Sequence, residues 1–249
     1  AHTWNTEGSA QFTNDASEVS MTHHSTSGET YVAYADASDG DKLKVKKYDG
    51  TNWVDLGGTI SSVKATLLSI KIHPVSGEPW VAFRRDVANS LNIRAYDSNT
   101  DSWTDEGTDV SAETPGYKLQ LNFSPSGDAY VAYEFYGTTH QFTIYSNNSG
   151  SWQQDYGNQF YIQDFGFNYP SYDKVYYVGS YGSPPGSNSY VARLRRYNSS
   201  GNWDNTNLAT DLQPLEGLAI DSINSYWFSD KNNGVAGESD VMFKEWTTA

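Results

Sequence analysis

Five tryptophans recur along this chain at nearly constant intervals: Trp4, Trp53, Trp103, Trp152 and Trp203 stand 49, 50, 49 and 51 residues apart. A fixed period of this length marks a repeated supersecondary unit, and nothing else in the sequence restricts the fold as far. A second landmark precedes the tryptophans. It reads "GETYVAY" (28–34), "GEPWVAF" (77–83) and "GDAYVAY" (127–133), with weaker copies "KVYYVG" (174–179) and "NSYWFS" (224–229). Short alternating apolar runs come earlier still: "EVSMTHH", "LLSIKIHP", "KLQLNFSP", "QDFGFNYP" and "EGLAIDSI". Finally, a strand ending in Tyr runs through a polar turn into Trp in "VKKYDGTNW", "IRAYDSNTDSW", "TIYSNNSGSW" and "LRRYNSSGNW".

Each unit therefore reads as four short strands, named a to d from first to last; in the second unit they cover 67–73, 79–84, 91–96 and 102–107. The a–b turns carry Pro, Ser and Gly, and the c–d turns carry Asp, Asn, Ser and Gly, which suits tight hairpins between period-2 strands. Nineteen Tyr, ten Phe and eight Trp fit pleated surfaces, and no stretch holds a helical period. Four strands in roughly 50 residues is the signature of a β-propeller blade. Kelch repeats share that period, but their repeated diglycine is missing apart from "LGGT".

The count also runs across the termini. From Trp203 to Ala249 is 46 residues and four more reach Trp4, so the interval is again 50. Tyr96 to Trp103, Tyr145 to Trp152 and, across the join, Trp246 to Trp4 are each seven apart. The expected fold is all-β: one five-bladed β-propeller of four-stranded antiparallel blades, filling residues 1–249 as a single domain. Its blades cover about 17–58, 66–108, 117–158, 160–208, and 215–249 together with 1–8. Residues 1–8 supply the outer strand of the last blade, which closes the ring and removes its open edges. The five tryptophans are expected to pack between blades, as a large apolar residue repeated at one strand position does in stacked sheets. The competing reading is that they line five equivalent sugar sites.

A net charge of −14 and a pI near 4.6 exclude nucleic acid as a partner, since no basic patch offsets phosphate charge. Anionic lipid surfaces are disfavoured by the same sign. Without cysteine there is no disulfide, thiolate metal site or Cys nucleophile. No apolar run approaches the ~20 residues that span a membrane, so no membrane insertion is expected. The polar opening "AHTWNTEG" suits a processed mature protein, and a secreted, extracellular location is expected.

Two resemblances rest on these residues. The runs "GETYVAYADASDGDKLKVKKYDGTNWVDLGG" and "GEPWVAFRRDVANSLNIRAYDSNTDSWTDEG" resemble propeller-like repeats of large secreted bacterial surface proteins. Five near-equal units in a small cysteine-free chain are similar to the tachylectin-2 type of five-bladed lectin. The latter resemblance implies N-acetylated sugars held at repeated sites between blades. None of that family's sugar-site residues can be matched in this chain, and fold alone does not fix function.

In a four-stranded blade the b–c and d–a loops share one face. Insertions collect there: the step from the b landmark to the next Trp is 22, 23 and 22 residues in the first three units and 27 in the last two, through "GSYGSPPGSNSY" and "SDKNNGVAGESD". Binding faces of repeat scaffolds gather insertions, so ligands are expected on this face. Acidic residues recur just after strand b, at Asp36, Asp86, Glu134 and Asp230, with Ser180 in the fourth unit. Their carboxylates can accept paired sugar hydroxyls, while Arg84, Arg85, Tyr136 and Tyr181 can donate or stack. The plainer reading is that these acids cap turns. The predicted ligand residues are Asp36, Arg85, Asp86, Glu134, Tyr136, Tyr181 and Asp230. The glycosylation triplets at Asn122, Asn147 and Asn198 fall near a–b or c–d turns, on the opposite face.

The loop "DASDGD" (36–41) resembles a calcium loop but lacks its twelve-residue spacing and terminal Glu, so a solvated turn is expected, with no metal and no cofactor. A propeller glycosidase needs two carboxylates about 5–10 Å apart with separated pKa values. The candidates beside strand a are Glu18, Asp164, Glu216 and Asp221. None of the five histidines belongs to an HExxH motif, and no nucleophile elbow or P-loop occurs. The expected function is therefore carbohydrate binding without catalysis, with glycans or glycoconjugates as partners. The alternatives are a structural or adhesive surface protein that binds protein partners and, more remotely, a glycosidase or lyase.

Overall fold

The computed structural model describes residues 6, 8, 13, 15–111, 113–136, 140–158, 165–168, 174–182, 190–197, 203–212, 215–220, 225–231 and 239–245. Side chains are described up to residue 155, apart from Tyr136, His140 and Gln141, and at Phe165. Among the described residues the chain is β throughout except for one 3₁₀ turn, Ala37–Asp39. The first seven strands are β1 (Ala16–His23), β2 (Thr30–Asp36), β3 (Lys42–Tyr48), β4 (Trp53–Ile72), β5 (Pro79–Arg85), β6 (Ser90–Asp97) and β7 (Ser102–Gly107), hydrogen-bonded in that order as one sheet. Strands β8 (Pro115–Phe123), β9 (Ala129–Tyr136), β10 (His140–Ser146) and β11 (Gln153–Asn158) form a four-stranded sheet. A second four-stranded sheet joins β12 (Phe165–Asn168), β13 (Lys174–Gly182), β14 (Tyr190–Tyr197) and β15 (Trp203–Leu212). The last sheet has three strands, β16 (Leu215–Ile220), β17 (Ser225–Lys231) and β18 (Ser239–Glu245). Every pairing is antiparallel between chain neighbours, as hairpin turns dictate.

The expected break between the first two units is bridged. Strand β4 runs 20 residues, pairing with β3 through Trp53–Lys64 and with β5 through Ala65–Ile72. The β-branched run "TISSV" keeps the chain extended across what was expected to be a loop, so one strand serves as d of one unit and a of the next. The first strands of successive units touch: β1 with β4, β4 with β8, β8 with β12, and β12 with β16.

The b landmark is explained by this layering. Val81 and Phe83 of β5 pack into one core, with Tyr31, Ala33, Leu43 and Val45 of the first unit. Ala82, between them in sequence, faces the other core, with Leu121, Val131 and Tyr133 of the third unit. A strand buried on both faces has no polar side to alternate with. Instead "VAF" and "YVAY" alternate bulky and small, so the bulky face of one unit meets the alanine face of the one before. Phe83 and Leu121 are at most 1 % exposed, and burial of side chains this size contributes roughly 1.5–3 kcal/mol each.

The first strands are open edges within their own units, and neighbouring side chains satisfy their donors. Ser20 Oγ accepts from Ile70 N at 3.1 Å, Ser69 Oγ from Leu121 N at 2.9 Å, and a Glu18 carboxylate oxygen from Leu67 N at 2.5 Å. These bonds fix each unit's height against the next.

One expected spacing does not keep its register. Tyr48, Tyr96 and Tyr197 lie opposite Trp53, Trp103 and Trp203, but Tyr145 lies opposite Gln154. The third unit's c–d turn is longer, so the seven residues from Tyr145 to Trp152 are not the same structural step as those from Tyr96 to Trp103. Trp4 and Trp246 lie outside the described residues.

Candidate functional site

The loop face forms as the strand directions require. Ser17, at the start of β1, donates its hydroxyl to Asp41 at 2.6 Å, which brings the entry to strand a beside the β2–β3 loop. Arg84, near the end of β5, donates through Nη1 to Pro115 O at 2.9 Å, joining the β5–β6 loop to the entry of β8.

Asp36 is an N-cap. Its carboxylate accepts from Ser38 N at 3.0 Å and Ser38 Oγ at 2.6 Å, and pairs with Lys44 at 2.8 Å. The Lys44 hydrogen bond, and then those from Ser38, hold its carboxyl below the usual range. Its plainer reading, a turn cap, is therefore what the geometry displays. Asp39 pairs with Lys42 and Lys44, at 2.8 and 3.1 Å, and Asp41 with Lys64 at 3.0 Å. The three carboxylates of "DASDGD" thus each pair with lysines, and no metal-holding cluster occurs among the described residues.

Arg85 makes a forked contact with Asp109, at 2.9 and 3.2 Å, and Ser90 Oγ donates to the same carboxylate. Ser90 also accepts from the fully buried Asn92 amide at 3.2 Å. Asp86 is anchored by its backbone, N–H to Lys64 O at 3.0 Å, and its side chain is exposed. Glu134 is 3 % exposed and lies within β9, in the sheet rather than on a loop. Tyr136, Tyr181 and Asp230 sit near the ends of β9, β13 and β17, and their side chains lie outside the described residues. Asp36 and Arg85 thus belong to two separate polar groups, one per unit, rather than to one constellation.

Sequence reasoning missed Asp109 and Tyr117. Asp109 lies in the β7–β8 loop with φ +52°, a conformation aspartate tolerates, and only the fold brings it to Arg85. Tyr117 is 50 % exposed beside a register slip in β8, a signal that needs the pairing to be seen.

The three landmark tryptophans with described side chains, Trp53, Trp103 and Trp152, pack between units. Trp103 donates its indole N–H to Leu56 O at 2.9 Å, and Trp152 to Glu106 O at 2.7 Å, each in the outer strand of the preceding unit. A Cβ added to Gly57 would lie 2.6 Å from Trp103, and one on Gly107 would lie 2.7 Å from Trp152. Trp53 meets Gly8 likewise, at 3.1 Å. Trp203 has its side chain outside the described residues.

Of the four acids considered for catalysis, Glu18 is committed to Leu67 N. Asp164 and Asp221 lie outside the described residues, as does the Glu216 side chain. Among the sequons, Asn122 lies in β8 near the β8–β9 turn, and Asn147 Oδ1 accepts from Ala129 N at 2.7 Å; Asn198 is outside the described residues.

No family model and no curated protein matches the sequence. Solved structures do. The fungal lectin of Aleuria aurantia, a six-bladed β-propeller with a fucose recognition mode, is 13 % identical with a TM-score of 0.61, over 93 % of this chain and 78 % of its own. The fold is a β-propeller. A protein of unknown function from Dyadobacter fermentans is 13 % identical with a TM-score of 0.60, over 94 % of this chain and 76 % of its own. A polysaccharide lyase, an ulvan lyase, is 9 % identical with a TM-score of 0.58, over 88 % of this chain and 63 % of its own. The propeller scaffold thus carries both binding and catalysis among these neighbours.

Proposed function

We propose that this protein is a secreted carbohydrate-binding propeller with glycan sites on its loop face. The observation that carries the reading is the make-up of that face. Arg85, Asp109 and Ser90 are pre-set by mutual hydrogen bonds, Asp36 and Lys44 likewise, and Tyr117, in the β8 irregularity, is half exposed. Sugars are recognised by such fixed donors and acceptors together with a flat apolar ring. The fucose recognition of the Aleuria lectin on a similar scaffold supports the reading. Secretion belongs to the same proposal, because surface glycoconjugates are met outside the cell.

The ring is proposed to hold five units, with residues 1–8 as the fourth strand beside β18. Gly8 meets Trp53 as Gly57 meets Trp103, which supports placing this segment as the outer strand of the preceding unit. Met21, 67 % exposed on β1, is the counterpart of Ile70, 1 % exposed on β4, so β1 presents a face that a further sheet would cover.

A glycan array probed with the purified chain tests the function. The expected result is a discrete set of sugars whose signal free sugar competes away. No glycan signal, or one that sugars cannot compete, would overturn the reading in favour of an adhesive protein.

A further inference from the structure

We propose that the Lys71 amine is a condensation site for small aldehydes, the open-chain form of a short reducing sugar among them, forming an imine at Nζ. The proposal goes beyond the carbohydrate reading and does not depend on it. It starts from a comparison of the lysines. Lys42, Lys44, Lys46, Lys47 and Lys64 each hold a carboxylate at 2.7–3.0 Å, and Lys118 lies over the Phe165 ring at 5.3 Å. Lys71 is the one lysine with a described side chain that has no ion pair, hydrogen bond or ring contact. In a chain of net charge −14, a cation left without a carboxylate is the exception.

The fold explains the exception. Lys71 lies near the end of β4, opposite Trp80 of β5. Residues two apart share one face of a strand. On this face Ser69 reaches Leu121 N at 2.9 Å and His73 reaches Gly127 O at 3.0 Å, while Trp80 packs against the core shared with the third unit. Lys71 therefore leaves β4 on the side of β8, with a serine before it, a histidine after it and a tryptophan opposite, none of them a carboxylate. The charged groups on the strands packed against this half of β4 are engaged elsewhere. Glu18 accepts from Leu67 N, His23 meets Thr30, Arg84 is bonded to Thr66 and Pro115, and Arg85 is bonded to Asp109. The Lys71 side chain is exposed, yet the protein around it withholds enough water from the ammonium to push its pKa below the usual lysine range. The site is thus open to reagents, and the uncharged, nucleophilic amine is more abundant there than at a paired lysine. Its lone pair adds to the aldehyde carbon, the C=O π pair goes to oxygen, and one N–H proton follows through water. The carbinolamine then loses its hydroxyl and its remaining N–H proton as water, leaving the imine; no oxidant or reductant takes part.

The test is labelling of the folded full chain with limiting glycolaldehyde and cyanoborohydride, which traps the imine as a secondary amine, read residue by residue by peptide mass spectrometry. Lys64 is the internal control: its side chain is 45 % exposed, and the hydrogen bond to Asp41 holds its ammonium above the usual lysine range. At about pH 7 Lys71 should label at least about fivefold faster than Lys64, and its rate should level off at a lower pH. Raising salt from about 0.05 to 0.5 M should speed Lys64 and leave Lys71 unchanged, because salt screens an ion pair and does not restore withheld water. In urea the two rates should converge. Lys71→Met should remove the fast site; if that variant fails to fold, the wild-type rates decide. A smaller ratio, or one that survives in urea, overturns the proposal and leaves the carbohydrate reading standing.

Discussion

Trp103 and Gly57 make one joint between them. The indole reaches back to Leu56 O, and the lack of a Cβ on Gly57, at φ +66°, lets the ring lie against the backbone. Gly57→Ala asks a Cβ to sit 2.6 Å from the indole in a left-handed conformation. It should cost more than about 1 kcal/mol in urea unfolding, whereas the same change at the open Gly58 should cost less. Ala82→Leu should cost about 1–3 kcal/mol by overpacking the face that meets Val131 and Tyr133. The tryptophan period was legible in the sequence, as was its packing role. The glycine partner was not, because W-x-x-x-G carries meaning only once the outer strand of the neighbouring unit is known. The histidines were similarly opaque. His73 caps its own turn by accepting from Ser76 N at 3.1 Å, and its Nε2–H donates to Gly127 O of the next unit at 3.0 Å.

Strands, rather than single contacts, carry the register. The inner-strand bonds of Ser20, Ser69 and Glu18 satisfy donors that a propeller's first strands would otherwise leave open. Ser69→Ala should cost about 1–3 kcal/mol by stranding the buried Leu121 N–H, measurable as a shift in urea midpoint at constant m-value. The β2–β3 loop has a pH signature. Lys44 and Ser38 lower the Asp36 carboxyl pKa in the folded state, so its contribution is present above the unfolded aspartate value of about 4 and is lost as pH falls through and below it. Asp36→Asn should flatten the acid limb of stability against pH between about 5 and 3, with little change in slope near neutrality. Four strands per unit and their order could be read from turn chemistry and period-2 alternation. The continuous β4 could not, since the paired glycines of "LGGT" and the two serines of "TISSV" read as a loop beside its β-branched residues. Nor could the site groupings: Asp36 follows strand b in the sequence, and only the fold shows it capping the Ala37–Asp39 turn and pairing with Lys44.

At the scale of the molecule, the proposed ring is a set of like units locked by one joint repeated between the units with described side chains. Among the described side chains, the second unit presents Val81 and Phe83 to the one before and Ala82 to the one after, so each of these interfaces depends on its neighbour being in place. Trp103 and Trp152 make that joint in full, and Trp53 makes its glycine contact with Gly8. Among the described residues the last sheet has three strands, and residues 1–8 are proposed as its fourth. The period across the termini suggested this closure, and the Gly8 contact supports it independently of the Tyr145 spacing, which does not keep register. The direct measurement is thermal unfolding of the full chain against a version lacking residues 1–8. A locked ring predicts one cooperative transition that moves down as a whole, because losing the joint at Trp53 exposes two units at once. An unchanged melting curve would contradict it.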